Sequence, residues 1–103
     1  MKETAPAPVP AESAMPARTL TICNRRGLHA RAASKFVNVS KGFESEVLLT
    51  KGDTVANGKS IMSVMLLAAP VGSEVQLSVS GPDEAEAFDA LTSLVNDGFG
   101  ELG

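Results

Sequence analysis

The stretch TLTICNRRGLHAR, residues 19–31, contains the change of pattern from which the fold is predicted. Polar and apolar residues alternate over residues 19–24, as in a half-buried strand. The triplet RRG at residues 25–27 favours a turn, and the apolar residues that follow recur at helical spacing. We therefore predict a strand, a turn and a helix that begins close to His29, the single histidine of the chain.

The remainder of the chain continues to alternate between the two periodicities. We predict a helix over residues 30–41, strands over 44–50 and 54–57, a short apolar helix over 61–67 that Ser60 caps, a strand over 74–80 and a last helix opened by Gly81 and Pro82. Four strands and three helices in this order indicate an α+β fold. The expected architecture is an open-faced two-layer sandwich, with a four-stranded antiparallel sheet and three helices on one face.

Length and composition restrict the function. A chain of 103 residues forms one small domain, here residues 18–103, and residues 1–17, with four of the six prolines, are predicted to be a disordered tail. We find no apolar run long enough to span a membrane and no signal-peptide pattern, so a cytosolic protein is expected. Cys23 is expected to be a small buried strand residue, and a single cysteine and a single histidine give no metal-binding cluster and imply no cofactor.

The charge is unevenly distributed. The net charge is −3, yet residues 13–43 contain six basic residues and no acidic one. This predicts a basic surface that meets phosphate groups, nucleic acid or an acidic partner, or else is merely solvated. With four Phe and no Trp or Tyr, extended nucleic-acid binding is disfavoured, although a binding module of that kind remains a third, weaker alternative.

The residues around His29 suggest an anion site. Gly27 permits a close approach of the backbone and Leu28 is expected in the core, which leaves His29 at the start of the helix beside free N–H groups. Arg31 then lies in the first helical turn, where the helix dipole disfavours a cation by about 0.3–1 kcal/mol. A bound phosphate removes this conflict. The same field favours a neutral imidazole, which can attack phosphorus, whereas the alternative is an ordinary capping histidine.

Two separated motifs, GLHAR at residues 27–31 and KSIM at residues 59–62, resemble those of the HPr family, the histidine-containing phosphocarriers of the bacterial phosphoenolpyruvate-dependent phosphotransferase system. The resemblance extends from about residue 19 to the end. It implies a carrier, not an enzyme, in which His29 accepts a phosphoryl group from enzyme I through Nδ1 and passes it to an EIIA domain. Arg31 is then expected to contact the phosphoryl group.

The resemblance also concerns Ser60, which aligns with the serine that HPr kinase/phosphorylase modifies in many bacteria. A phosphate there would lie favourably at a helix N-terminus, and a plain capping role is the alternative. The apolar helix that follows is expected to serve as core, as a docking surface for protein partners, or as both. Neither nucleic-acid binding nor membrane insertion is implied, and a monomer is expected.

The sequence departs from the usual family pattern at a few positions. Ala32 stands where the family usually has proline, and Ser63 replaces a glycine common in the second helix. Together with Arg26, these differences resemble a regulatory or nitrogen-related branch more than the main sugar-uptake carrier. An alternative function is therefore a regulatory adaptor, whose protein binding is controlled by phosphorylation at His29 or Ser60.

Overall fold

The computed structural model describes residues 17–101, so the predicted tail over residues 1–17 lies outside the described residues except for Ala17. The described part contains four strands, three α-helices and a final 3-10 turn, in this order: β1 (Arg18–Thr21), α1 (Ala30–Ser40), β2 (Glu46–Lys51), β3 (Thr54–Asn57), α2 (Ile61–Leu66), β4 (Glu74–Ser80), α3 (Glu84–Asn96) and the 3-10 turn (Gly98–Gly100). The predicted order of strands and helices is confirmed.

The four strands form one antiparallel sheet in the order β1-β4-β2-β3. Leu20 pairs with Val75, and Leu49 pairs with Leu77, and all four side chains are buried. Because side chains alternate along a strand, these residues mark the face that the helices cover. The α+β two-layer sandwich is therefore confirmed.

The core lies between this face and the helices. Helix α1 contributes Phe36 and Val37, and α3 contributes Phe88 and Leu91, each at most 1% exposed. Burial of a side chain of this size stabilises a fold by about 1.5–3 kcal/mol. The helical apolar spacing thus fixes which side of α1 and α3 faces the sheet.

Strand β1 is shorter than predicted, and the prediction that Cys23 is buried is wrong. The strand ends at Thr21, although the Ile22 N–H still donates to Ser73 O across 2.9 Å. Ile22 points into the core, so Cys23, the next residue, faces outward and is exposed. Its Sγ lies 3.4 Å from the carbonyl oxygen of Val95 at the end of α3.

Helix α3 begins at Glu84, three residues later than the predicted opening at Gly81. Asp83 is the N-cap residue, but its carboxylate makes no capping bond and accepts instead from the backbone N–H groups of Glu44 and Ser45, each at 2.9 Å, and from the Ser45 hydroxyl. The Ser45 hydroxyl bond is the largest cause that lowers the pKa of Asp83. This cluster ties the approach to β2 to the start of α3.

The turn before His29 is held against the segment that connects α2 to β4. Gly27 adopts a left-handed conformation, with φ of +70°, and the Leu28 N–H donates to Ala69 O across 2.9 Å. A Cβ atom added at Gly27 would lie 2.5 Å from Ala69 O and 2.8 Å from the Cα atom of Pro70. The turn can therefore approach this connection only because residue 27 has no side chain.

We expect Asp83→Asn to destabilise the protein at pH 7 and to do so less in acid. A carboxylate whose native pKa is lowered contributes stability above its ordinary value of 3.8, and the contribution is lost as the pH falls through the lowered native value. Urea unfolding of both proteins at about pH 7 and about pH 3 checks this. Asp89→Asn, on the exposed side of α3, is the matched control, and a difference that is the same at both pH values would contradict the prediction.

We expect Gly27→Ala to destabilise the fold more than Gly52→Ala does. Both glycines have a positive φ, +70° and +60°, but an added Cβ at Gly52 meets no atom within 4 Å. The left-handed conformation alone costs about 1–2 kcal/mol, whereas the clash at Gly27 adds about 1–3 kcal/mol. The free energy of unfolding of each variant is the measurement. Equal losses would show that the close approach to Ala69 is not constrained.

Candidate active site

His29 is the N-cap residue of α1, as the sequence predicts, and its ring is held through both nitrogen atoms. The Nδ1 atom accepts from the backbone N–H of Arg31 at 3.3 Å, and Nε2 lies 2.7 Å from Oε2 of Glu101. The side chain is 24% exposed, so one part of the ring remains open to solvent. The ring is thus fixed in direction and still accessible to another molecule.

These two partners assign the tautomer of a neutral ring. A backbone N–H can only donate, so Nδ1 must offer its lone pair to Arg31. The ionised Glu101 carboxylate can only accept, so Nε2 must carry the proton. The nucleophilic lone pair of the neutral imidazole therefore lies on Nδ1, at the start of the helix. That the ring is neutral remains a prediction.

Glu101 is itself held in place by Asn24, which is 2% exposed. The Asn24 side-chain amide donates to Glu101 Oε1 at 3.0 Å and to Gly27 O at 2.8 Å, and so joins the carboxylate to the turn that precedes His29. The Asn24 hydrogen bond is the largest cause that lowers the pKa of Glu101, and the bond to His29 acts in the same direction. The carboxylate is thus favoured in its ionised form.

Residues 98–101, which we call the C-terminal strap, bring Glu101 back to the start of α1. Three successive residues of the strap have a positive φ, from +58° to +76°, which reverses the chain after α3. Phe99 is 1% exposed and anchors the strap in the core, and its carbonyl oxygen accepts from Lys35 Nζ at 2.8 Å. Helix α1 therefore holds the strap at a second point.

Arg31 lies in the first turn of α1 with its side chain exposed. Only its backbone N–H takes part in the bond to His29; within residues 17–101, its guanidinium makes no hydrogen bond or ion pair with another side chain. A cation at a helix N-terminus without an acidic partner is electrostatically unfavourable. Its position beside the ring suits it to an anion bound at Nδ1.

Ser60 does not join this cluster. It caps the first turn of α2, where its hydroxyl accepts from the Ser63 N–H at 3.3 Å. The neighbouring Lys59 has a structural contact, since its Nζ donates to Phe43 O at 2.7 Å. The far end of α2 leads to Ala69, which contacts the turn before His29, so the length of α2 separates Ser60 from the ring.

Helix α2 has one buried side and one exposed apolar side. Val64 and Leu67 are at most 3% exposed and belong to the core. The exposed side, which we call the α2 apolar surface, consists of four large residues: Ile61, Met62, Met65 and Leu66, of which Met62 and Leu66 are 70% and 73% exposed. The two roles expected for this helix, core and exposed surface, thus fall on its two sides.

Two findings limit other kinds of site in the described part of the chain. Over residues 17–101 there is no group of three or more His, Cys, Asp or Glu side chains placed to hold a metal ion. Among the helices of the same residues, none has the length and apolar character needed to cross a membrane.

Sequence reasoning did not identify Asn24, Glu101 or Lys35 as part of the site. Glu101 is 72 residues from His29, and no local pattern predicts that contact. The only signal in the sequence is weak: an acidic residue follows two glycines that flank Phe99 shortly after the last helix, which is consistent with a chain reversal.

Comparison with known proteins identifies the family of this chain. Residues 16–97 match the family model described as PTS HPr component phosphorylation site. The phosphocarrier protein HPr of Neisseria meningitidis serogroup A is 51% identical over 84 residues, which are 82% of this chain and 94% of that protein. The phosphocarrier protein NPr of Escherichia coli is 36% identical over 85 residues, with 82% of this chain and 94% of the relative covered.

A solved structure has the same fold. The crystal structure of HPr-C-His from Thermoanaerobacter tengcongensis superposes with a TM-score of 0.81 at 42% identity, and covers 84% of this chain and 98% of its own. The family match spans most of the chain and includes the turn, the histidine and the short apolar helix described above. This chain belongs to the HPr family of phosphocarrier proteins of the phosphotransferase system.

Proposed function

We propose that this chain accepts a phosphoryl group on Nδ1 of His29 from enzyme I and passes it to an EIIA domain. The proposal rests on the two contacts that orient the His29 ring at the start of α1. Its Nδ1 lone pair points to a backbone N–H at 3.3 Å, while Nε2 is occupied by Glu101 at 2.7 Å. Only Nδ1 is therefore disposed to attack phosphorus.

The helix start supplies groups that stabilise the product. When Nδ1 forms a bond to phosphorus, the Arg31 N–H loses its acceptor on the ring and is free to donate to a phosphoryl oxygen. The Arg31 guanidinium, exposed in the first turn of α1 two residues after His29, can donate to the same group. These few donors lie at an open surface, where an acceptor protein can compete for the phosphoryl group.

The partners are expected to dock around the ring. The α2 apolar surface provides an exposed hydrophobic area, and Arg25 and Arg26, both exposed in the turn before His29, provide positive charge. A monomeric carrier is part of the proposal, because the hydrogen bonds that orient the ring need no residue of a second copy. The proposal places this carrier in the cytoplasm, and it requires neither a cofactor nor nucleic acid.

The branch of the phosphotransferase system is part of the proposal. Both relatives are named phosphocarrier proteins, which favours the carrier role over a regulatory adaptor, and the greater identity to an HPr, 51% against 36% to NPr, favours an HPr-like carrier over an NPr-like one. Transfer from His29 to a sugar-specific EIIA domain distinguishes the sugar-uptake branch from a nitrogen-related one. An adaptor would bind its partner according to its phosphorylation state and pass no phosphate on.

Regulation at Ser60 is a second element of the proposal. The hydroxyl caps α2 through Ser63 N–H, so a phosphate on it would accept from the same helix start. HPr kinase/phosphorylase is the expected modifying enzyme, and an acid-stable phosphate would report its action. Added negative charge at the end of the α2 apolar surface is expected to weaken docking of a partner there.

We expect incubation with enzyme I and phosphoenolpyruvate to add one phosphate that is labile in acid and stable in base. The P–N bond of phosphohistidine is the reason for this stability pattern. Intact-protein mass spectrometry before and after acid treatment is the measurement. His29→Ala should remain unlabelled, and a phosphate that survives this substitution would refute the carrier assignment.

We expect Arg31→Ala to slow phosphoryl transfer by about tenfold to a hundredfold, the equivalent of about 1.5–3 kcal/mol for a charge-assisted hydrogen bond. The Tm should stay nearly unchanged because the exposed guanidinium has no side-chain partner within residues 17–101. Rapid-quench transfer rates and thermal unfolding measure the two effects. Lys41→Ala, at the other end of α1, is the control, and a large loss of Tm in Arg31→Ala would mean that Arg31 is structural.

A further inference from the structure

We propose that Glu101 is a positioning residue for His29: its carboxylate keeps the proton on Nε2 throughout the transfer cycle, so that the ring gives up the phosphoryl group as neutral imidazole. The inference rests on the proposed function, since it assumes that Nδ1 carries the phosphoryl group. It adds a role for a residue that lies outside both sequence motifs, 72 residues from the histidine.

The two nitrogen atoms of the ring have different partners. Nε2 is 2.7 Å from Glu101 Oε2, while Nδ1 faces the helix start. Chemistry at Nδ1 therefore leaves the contact between Nε2 and Glu101 in place. The carboxylate cannot reach the phosphoryl group through the same oxygen that holds the Nε2 proton, so its role is exerted through the ring.

On the incoming step, the lone pair of Nδ1 attacks phosphorus and the bond from phosphorus to the donor breaks, with its electron pair returning to the donor. Nδ1 has now used its lone pair and Nε2 retains its proton, so the ring becomes a cation. The adjacent Glu101 carboxylate compensates this new charge at 2.7 Å. No proton has to be lost from or gained by the ring.

On the outgoing step, the acceptor attacks phosphorus and the P–Nδ1 bond breaks, with the electron pair returning to Nδ1. If Nε2 still carries its proton, the leaving group is neutral imidazole. If Nε2 has lost the proton, the leaving group is an imidazolate anion, a far poorer one. The Glu101 contact therefore affects the outgoing step most, and most of all in alkaline solution, where the proton is more easily lost.

The surroundings keep the carboxylate ionised and in position. Asn24 donates to its other oxygen at 3.0 Å, and this bond is the largest cause that lowers the pKa of Glu101. Lys35 donates to Phe99 O in the strap, and its charge also lowers the Glu101 pKa. Arg31, in the first turn of α1, contacts the ring through its backbone N–H. Within residues 17–101, Glu101 is the acidic group in contact with the ring.

The strap has anchors that do not involve Glu101. Phe99 is buried in the core and its carbonyl oxygen is held by Lys35. A substitution at residue 101 therefore removes the carboxylate while Phe99 and Lys35 still hold the strap. Glu101→Gln keeps the size of the side chain and removes its charge, and Glu101→Ala removes both.

The test compares the whole protein with Glu101→Gln and Glu101→Ala, and with Glu46→Gln as a control that makes the same charge change at the opposite end of the sheet. Each protein is phosphorylated on His29 and mixed with an EIIA domain, and the outgoing rate is followed by rapid quench from about pH 6 to about pH 9. For Glu101→Gln we expect rates near those of the unaltered protein at about pH 6 and about tenfold lower at about pH 8.5. Nitrogen-15 NMR of the unphosphorylated ring should show a loss of the Nε2-protonated tautomer.

The outcomes distinguish the two proposals. If the unaltered protein accepts no phosphate on His29, the proposed function fails. If it does, and both Glu101 variants follow the same pH profile and keep the same tautomer as Glu46→Gln, the role of Glu101 is refuted while the carrier function stands. A rate lowered equally at every pH would also refute it, because that result indicates a general loss of structure or docking.

Discussion

The close contact between Gly27 and the segment at Ala69 and Pro70 is the constraint on which the site depends. A Cβ atom at residue 27 would lie 2.5 Å from a carbonyl oxygen, so the backbones meet directly. The Leu28 N–H then bonds to Ala69 O, and Leu28 is buried beneath the turn. With both residues fixed, His29 lies partly exposed as the N-cap residue of α1.

The site is built by two segments that the sheet brings together. Strand β1 lies at the edge of the sheet beside β4, which leads into α3, and the strap after α3 returns to the turn after β1. Asn24 joins the two segments, because its one side-chain amide bonds both Gly27 O and Glu101 Oε1. An asparagine has the two N–H donors needed for this, and burial strengthens both bonds by excluding water.

Local patterns in the sequence predict the order of the elements and the starts of α1 and α2, although not the start of α3. The positions of His29 and Ser60 as N-cap residues follow from composition at a helix start, and the structure places both there. The prediction fails where the partner is distant: the last helix begins after Asp83, which bonds to Ser45, whose place beside it depends on the sheet register. The prediction that Cys23 is buried was wrong because Ile22 points into the core, so the next side chain faces outward.

In the candidate site, too, some features follow from the local sequence and others depend on contacts between distant residues. An anion site at the helix start could be proposed from the sequence because His29 and Arg31 are two residues apart and Arg31 conflicts with a local electrostatic rule. The carboxylate that completes the ring's environment could not, since its approach requires the left-handed reversal at residues 98–100 and the buried anchor Phe99. Such contacts are set by packing of the whole domain.

The separation of 72 residues between His29 and Glu101 has a consequence for the order of events during synthesis. On the ribosome, the histidine is made long before its carboxylate, so α1 can form while the ring still lacks its partner. Closing so long a loop is a slow, late step in the folding of a domain. The ring is therefore ordered only after the strap has been made and α3 has packed, so competence is reached late in folding.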